Sequence, residues 1–158
     1  LLVSLLVGGG CDEPSASVLW LRIDSELPSG DLHEIIVAIS ASSTPEGRFC
    51  RPVVHRFPVY LYDIDLPLFV ALERGDQYGN FAAFEVEGVE VFGEPLQRIE
   101  GRAAWPEEGE TQIDILLTRD CVPGPVCDAG EQCVNGECLD LPTPSPFRGD
   151  PEYDGDCE

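Results

Sequence analysis

The seven cysteines are the residues of this chain with the most distinctive chemistry. They are Cys11, Cys50, Cys121, Cys127, Cys133, Cys138 and Cys157. An odd number is unusual for an exported protein, because pairing into disulfides leaves one thiol over. If Cys11 is consumed by another reaction, the other six can form three disulfides, which persist outside the reducing cytosol. The count therefore predicts an oxidising compartment and a separate role for one cysteine.

The residues before Cys11 predict that role. Residues 1–7 are apolar apart from Ser4, and they are too few to span a bilayer, which takes about 20 residues. Their length suits the apolar core of a secretory signal peptide. Three glycines then precede Cys11, and the arrangement resembles the lipobox of bacterial lipoproteins. The resemblance implies cleavage before an acylated Cys11, which makes residues 1–10 a signal-peptide remnant and 11–17 a lipidated tether. The alternatives are an ordinary signal-peptide fragment and a buried strand.

The charge of the chain restricts its partners. Thirty acidic residues face nine basic ones, all of them Arg, which gives a net charge of −21. Nucleic acids and anionic lipid headgroups both require a cationic surface, so neither is an expected partner. Two or more acyl chains are enough for stable anchoring. We therefore expect the lipid bilayer to be contacted through acylated Cys11.

Other reactive residue types do not form a catalytic or metal-binding pattern in the sequence. His33-Glu34 could begin the zinc-protease motif HExxH, but Val37 stands where the second histidine is required. The four cysteines within residues 121–138 match a zinc site by number. In an exported chain, however, disulfides are the better interpretation. We predict no catalytic residue, no metal site and no cofactor.

Carboxylates also occur in closely spaced sets. Glu85 and Glu87 are two residues apart, so they share one face of a strand, as the acids of a glycosidase can. Thirty acidic residues produce such pairs by chance, and we interpret them as solvated strand faces. Acidic loops could instead bind calcium, which prefers six to eight oxygen ligands. The candidates are Asp63, Asp65, Asp76, Asp150, Glu152, Asp154 and Asp156.

Short alternations of apolar and polar residues predict the elements that position these groups. Between residues 18 and 120 such alternations are separated by turn residues, which is typical of an all-β domain. The runs are 18–24, 33–40, 56–64, 66–73, 81–93 and 111–118. In the run 81–93 the phase changes at Gly88, which predicts a β-bulge or a tight turn. The pattern predicts an antiparallel β-sandwich, immunoglobulin-like or transthyretin-like. Its expected core aromatics are Trp20, Phe69, Phe84 and Trp105.

The composition changes at Cys121. Residues 121–138 hold four cysteines and almost no large apolar side chain, so covalent links must order this segment. Asn135-Gly136 is a strong signal for a two-residue hairpin turn, which would bring Cys133 near Cys138. The segment is therefore expected to be a small Cys-rich disulfide module.

The pairing of the cysteines stays open at this level, because the four in the module alone allow three pairings. We favour Cys121–Cys133, Cys127–Cys138 and Cys50–Cys157. Residues 139–158 follow the module as a tail rich in proline and acidic residues. Cys157 would attach the end of that tail.

The layout as a whole combines three features. A lipobox-like start is followed by a strand of the form TQIDILLTRDC, residues 111–121, and then by GEQCVNGEC, residues 130–138. This combination resembles predicted envelope lipoproteins of myxobacteria. The resemblance implies a location in the bacterial cell envelope, and it implies no catalytic residue.

We therefore expect a non-enzymatic, membrane-anchored envelope lipoprotein. Its β-sandwich would act as a binding or scaffolding module for an envelope protein or glycan. The alternatives are a carbohydrate-binding or glycosidase-accessory module and a calcium-dependent adhesin.

Overall fold

The computed structural model of the protein describes residues 2–5, 17–28, 30–42, 52–59, 65–74, 81–107, 109–122 and 124–146. Eleven strands lie in these residues. They are β1 (Leu2–Leu5), β2 (Val18–Ser25), β3 (Glu34–Ser42), β4 (Val53–Pro58), β5 (Leu68–Glu73), β6 (Phe81–Val89), β7 (Pro95–Ala104), β8 (Glu110–Leu117), β9 (Glu131–Val134), β10 (Glu137–Asp140) and β11 (Ser145–Pro146). The predicted all-β class is confirmed.

The strands form two main sheets and one hairpin. The first sheet has the order β1-β5-β2-β8-β11, the second has the order β4-β3-β6-β7, and β9 pairs with β10. Every pair in the second sheet is antiparallel. The first sheet contains two parallel pairs, β1–β5 and β2–β8, beside its antiparallel ones. One apolar cluster joins the inner faces of both sheets, as expected of the predicted sandwich.

The apolar core follows the alternation that the sequence displays. Leu19, Leu21 and Ile23 of β2 are fully buried, whereas the residues between them face the other way. The register pairs Leu21 with Ile113 of β8, so the inner faces of neighbouring strands lie at the same level. Burying one such side chain contributes about 1.5–3 kcal/mol. This alternation is what holds the first sheet against the second.

Gly88 is the point at which β6 changes phase. The pairing of β6 with β7 shifts between Gly88 and Val89, which confirms the predicted irregularity. A Cβ atom on Gly88 would lie 3.1 Å from Leu117 Cδ1 and 3.2 Å from Leu32 Cδ1. Because Gly88 has no side chain, the backbone of β6 can lie close to Leu117 and Leu32 at the point where the alternation breaks. The strand ends at Val89, before the end of the predicted run 81–93.

Two strands differ from the sequence-based prediction. β4 begins at Val53, earlier than the predicted run 56–64, of which residues 60–64 lie outside the described part of the chain. β7 had no predicted counterpart, because its inward positions are mostly small or polar. Those positions are Gln97, Ile99, Gly101 and Ala103.

The four aromatic residues expected in the core have different environments. Phe84 and Trp105 belong to the core cluster. Trp20 is buried on the opposite face of β2 from Leu19, where its Nε1 donates a hydrogen bond to Glu110 Oε2 at 2.9 Å. Phe69 is only half-buried on β5, so the prediction that it is a core residue is wrong. Its neighbours along β5 face the core, and the strand's alternation turns Phe69 outward.

The Cys-rich module packs against the edge of the sandwich. Asn135 and Gly136 have φ angles of 52° and 80°, as the two-residue turn between β9 and β10 requires. Gly130 N donates a hydrogen bond to Glu100 O of β7 at 2.7 Å. Gln97, which is 8% exposed, donates from Nε2 to Cys133 O and accepts from Thr118 N. One buried glutamine thus joins β7, the end of β8 and the module.

Replacing Gln97 with leucine should lower the free energy of unfolding by about 2 kcal/mol, because the buried Thr118 N–H loses its acceptor. Urea denaturation of the disulfide-intact protein measures this change. Gln112→Leu is the matched control, since Gln112 is equally buried but its amide bonds only to Asp114. Equal losses of stability in the two variants would contradict the proposed role of Gln97.

The segment before Cys11 forms a strand along its described residues. β1 pairs in parallel with β5, with Val3 opposite Val70 and Leu5 opposite Leu72. Residues 2–5 therefore have the strand conformation that the sequence left as an alternative. The tether from Cys11 to residue 16 and the tail residues 147–158 lie outside the described residues.

Candidate functional site

The module contains two disulfides, Cys121–Cys133 and Cys127–Cys138. Both are the pairings favoured from the sequence, and their Cα separations of 5.9 and 5.5 Å are ordinary for disulfides. The other predicted cysteine positions lie outside the described part of the chain. They are Cys11, Cys50 and Cys157.

The Cys121–Cys133 disulfide is buried where the module meets the sandwich. Cys121 and Cys133 are 4% and 2% exposed, and Thr118 Oγ1 lies 2.9 Å from Cys121 Sγ. A short 3-10 turn, Arg119–Cys121, follows directly from β8, and the disulfide ties its last residue to β9. The residues on either side of Cys121 are therefore held against the end of the sandwich.

A cleft opens at this same end of the sandwich, with a volume of about 440 Å³. Three chain segments form its walls: the turn after β2, the hairpin between β6 and β7, and the 3-10 turn after β8. The lining residues are Leu27, Gly30, Asp31, Glu90, Val91, Leu96, Arg119 and Val122. We call this feature the distal cleft.

Local hydrogen bonds hold each wall of the distal cleft. Asp31 N donates to Pro28 O at 2.9 Å in the turn after β2. In the β6–β7 hairpin, Glu90 N donates to Glu94 O at 3.0 Å, and Gly93 has a positive φ of 84° that a glycine adopts without strain. Val122 N donates to Arg119 O at 3.1 Å in the third wall. The cleft is thus built from ordered turns.

Two exposed apolar residues lie in the hairpin that forms one wall of the distal cleft. Val91 lies in the lining, and its neighbour Phe92 is 88% exposed at the tip of the hairpin. Burying an exposed aromatic side chain is a large favourable contribution at protein interfaces. The sequence signal for this feature was Val91-Phe92 immediately before Gly93, which the predicted strand 81–93 obscured.

Arg119 gives the distal cleft a cation on a strongly acidic protein. Among the arginines that the structure describes, four form ion pairs with carboxylates: Arg22, Arg56, Arg98 and Arg102. Arg119 is exposed and has no ion-pair partner among the described residues. Its guanidinium can therefore pair with a carboxylate or another anionic group of a ligand.

The distal cleft lies at the opposite end of the sandwich from Val18, where β2 begins. Residues 11–17 join β2 at Val18, and β2 then runs for 8 residues before reaching Leu27 in the cleft. At about 3.3 Å per residue, that strand separates the two ends by roughly 25 Å. β8 runs parallel to β2 and delivers Arg119 to the same end.

The two histidines lie on separate strands or their approaches. His33 precedes β3 and donates its backbone N–H to Val89 O at 2.8 Å, while His55 lies on β4 opposite Val37. Partial burial disfavours the imidazolium and lowers the pKa of His55 below its ordinary value of about 6.5. The structure places no HExxH helix at His33, because Glu34 and Val37 belong to β3.

Protonation of His55 should destabilise the folded protein. Because the pKa of His55 is lower in the folded state, the unfolded chain binds more protons between the two pKa values. The free energy of unfolding should therefore fall as the pH drops below about 6.5, and the loss should end below the folded pKa. Urea denaturation of wild type and His55→Gln over this range measures the effect. An unchanged pH slope in His55→Gln would contradict it.

The paired carboxylates on β6 lie on the outer face of the second sheet. Glu85 forms an ion pair with Arg98 across the β6–β7 pair, and Glu34 similarly pairs with Arg56. These contacts agree with the interpretation of solvated strand faces. Of the acidic calcium candidates, Asp65 is exposed, and the others lie outside the described residues.

One group of side chains in the described residues brings three possible metal ligands together. Cys127, Glu131 and Cys138 have ligand atoms within 4.8 Å of one another. The two sulfur atoms are bonded to each other in the second disulfide, so neither is a thiolate. This group is therefore explained by the disulfide and the carboxylate beside it.

Two further observations bear on the class of protein. Nowhere in the part of the chain that the structure describes is there a helix with the length and apolar character needed to cross a membrane. Comparisons with protein-family models, with curated proteins and with solved structures find no match to this chain.

Proposed function

We propose that this protein is an exported, non-enzymatic envelope lipoprotein that binds a partner through the distal cleft. Acylated Cys11 anchors it to the bilayer, and residues 12–17 space the sandwich from the membrane. The observation that carries the proposal is the position of the cleft, at the far end of β2 from the tether. A protein anchored at one end and open at the other presents its binding surface away from the membrane.

The disulfides support the exported location. Two disulfides in a small segment without a core of its own are typical of an oxidising compartment. The odd cysteine count and the resemblance to myxobacterial envelope lipoproteins point the same way.

The chemistry of the distal cleft favours a polypeptide ligand. Its lining is mixed: the apolar part and the nearby exposed Phe92 suit aliphatic or aromatic side chains, while Arg119 suits a carboxylate. Asp31 and Glu90 can accept hydrogen bonds from backbone or side-chain donors on the same ligand. An envelope protein is therefore the preferred partner, with a glycan as the competing ligand in the test.

The anchoring half of the proposal is tested on the natively expressed protein. Intact mass spectrometry should find the mass of acyl chains on a chain that begins at Cys11, and the protein should fractionate with membranes. Cys11→Ser should lose both properties. A native protein that retains residues 1–10 and carries no acyl mass would refute the lipid anchor.

The binding half is tested with a photo-crosslinking amino acid at Phe92, in cells that express the acylated protein. We expect one defined crosslinked envelope partner, and the purified partner should bind wild type at least 10-fold more tightly than Phe92→Ser or Arg119→Ser. The matched control carries the same crosslinker at Glu107, which is exposed at the tether end. Equal crosslinking from both positions, or binding only to purified envelope glycans, would overturn the proposal.

A further inference from the structure

The edge of β5 on which β1 pairs is a candidate for a second binding site. β5 lies between β1 and β2, and β1 contributes only Leu2–Leu5 along the edge formed by residues 69–72. The pairing is parallel and in register from Leu2 opposite Phe69 to Leu5 opposite Leu72. Residues 2–5 precede Cys11, so they are removed if the chain is processed as proposed above.

The other edges of the two sheets are covered or protected in the described structure. β11 pairs with β8 at one end of the first sheet, and the module donates a hydrogen bond to Glu100 of β7. β4 forms the remaining edge, and it carries Arg56 and Pro58. Charge and proline at an edge strand discourage pairing with another chain.

At β5 such features occur only at the ends of the strand, at Pro67 and Glu73, and the edge between them lacks them. Residues 69–72 read Phe-Val-Ala-Leu, without a charged residue or a proline. Val70 and Leu72 are fully buried beneath this edge, so the strand is fixed by the core. Once β1 is gone, a rigid strand with unpaired backbone groups and an apolar sequence remains at the edge of the sheet.

We propose that the processed protein uses the edge of β5 to bind an extended apolar segment of a partner polypeptide, in the place that Leu2–Leu5 occupies. The inference rests on the proposed cleavage before Cys11. The bound segment adds a strand parallel to β5, and its backbone hydrogen bonds provide binding in the manner of β-strand addition. Because Leu2–Leu5, the segment paired with β5, is mostly apolar, we expect the bound segment of the partner to be mostly apolar as well.

A second copy of the protein is the less suitable occupant. Two β5 edges related by a two-fold axis would pair antiparallel, whereas the segment seated on β5 is parallel. The edge also lies beside the tether, because Glu73 pairs with Val18 at the start of β2. The strand site and the distal cleft therefore use different parts of the sandwich.

The test uses the full chain with Cys11→Ser and with a site-specific protease sequence in place of residues 12–16. After folding and cleavage, residues 1–11 should stay bound during gel filtration. A fluorescent peptide with the sequence of residues 1–7 and a solubilising tail should displace them. The same peptide with Val3→Asp and Leu5→Asp should bind at least 10-fold more weakly, because those positions lie opposite Val70 and Leu72.

Register is tested by disulfide trapping. A peptide with Ser4→Cys should crosslink to Ala71→Cys in the cleaved protein, since these residues are partners in the register. Glu73→Cys is the matched control, two residues further along the same face of β5, and should react about 10-fold less. Loss of residues 1–11 without peptide rebinding, or a cleaved protein that dimerises and excludes the peptide, would overturn the inference.

These results are separable from the anchoring test. If the native protein is acylated but the cleaved protein binds no peptide, the strand site is refuted and the lipid anchor is not. The opposite outcome is peptide exchange in the cleaved chain, with a native protein that keeps residues 1–10 and lacks acyl mass. That result would refute the lipid anchor and the release of the β5 edge.

Discussion

Gly101→Ala should lower the free energy of unfolding by about 3 kcal/mol or more, because no space exists for a single methyl group. A Cβ atom at this position would lie 2.3 Å from Phe84 Cζ and 2.5 Å from Leu141 Cδ1. Phe84 is fully buried in the centre of the core and cannot swing aside. Urea denaturation should report a lower midpoint with an unchanged slope.

Two controls separate this steric effect from the general cost of changing a glycine. Gly30→Ala should leave stability within about 0.5 kcal/mol, since a Cβ there would meet nothing within 4 Å. In a Phe84→Leu background, Gly101→Ala should lower the free energy of unfolding by less than it does in the parent protein. A double-mutant cycle measures this difference. Additive losses in the cycle would show that the clash with Phe84 is not the cause.

Removing the Cys121–Cys133 disulfide with two alanines should cost about 4 kcal/mol. The closed loop contributes roughly 3 kcal/mol through the entropy of the unfolded chain, and loss of two buried sulfur atoms adds the remainder. The second consequence is local, because Arg119 would no longer be tied to β9. Trypsin, which cleaves after arginine, should then cut at Arg119 much faster than in the parent protein.

Cys127→Ala with Cys138→Ala is the matched control. The Cys127–Cys138 disulfide has a sequence separation of 11 residues and Cys121–Cys133 one of 12, so their entropic contributions to stability are nearly the same. These two cysteines are only half-buried, and neither adjoins the distal cleft. We expect a smaller loss of stability and little change in cleavage at Arg119. Identical behaviour of the two pairs would contradict the role given to Cys121–Cys133.

The strands that were predictable from sequence are those with large apolar residues on one face. β2 alternates Leu19, Leu21 and Ile23 with polar or outward residues, and its bounds nearly match the predicted run. β7 escaped prediction because Gly101 faces Phe84 and Gln97 faces the module, so two of its inward positions look polar or turn-like. At such positions the residue type is determined by tertiary contacts, which a local sequence pattern does not reveal.

The cysteine content of the module was evident from the sequence, which favoured the two observed pairings but left three possible, and the distal cleft was not predictable. The turn at Asn135-Gly136 sets the hairpin register, which places Cys133 opposite Cys138. These two cysteines nevertheless bond to Cys121 and Cys127, so the hairpin alone does not determine the pairing. The cleft joins Leu27, Val91 and Arg119, which are distant in sequence and come together only through the order of the strands. The exposed Val91-Phe92 pair in the turn was a local feature of this surface that the sequence displayed.

The parallel pairing of β2 with β8 has a consequence for how the chain acquires its structure. β2 pairs with β5 on one side, and β8, its neighbour on the other side, follows about 90 residues later along the chain. Because synthesis proceeds from the N-terminus, β2 lacks this neighbour until the end of β8 has been made. The first sheet can therefore be completed only late in folding.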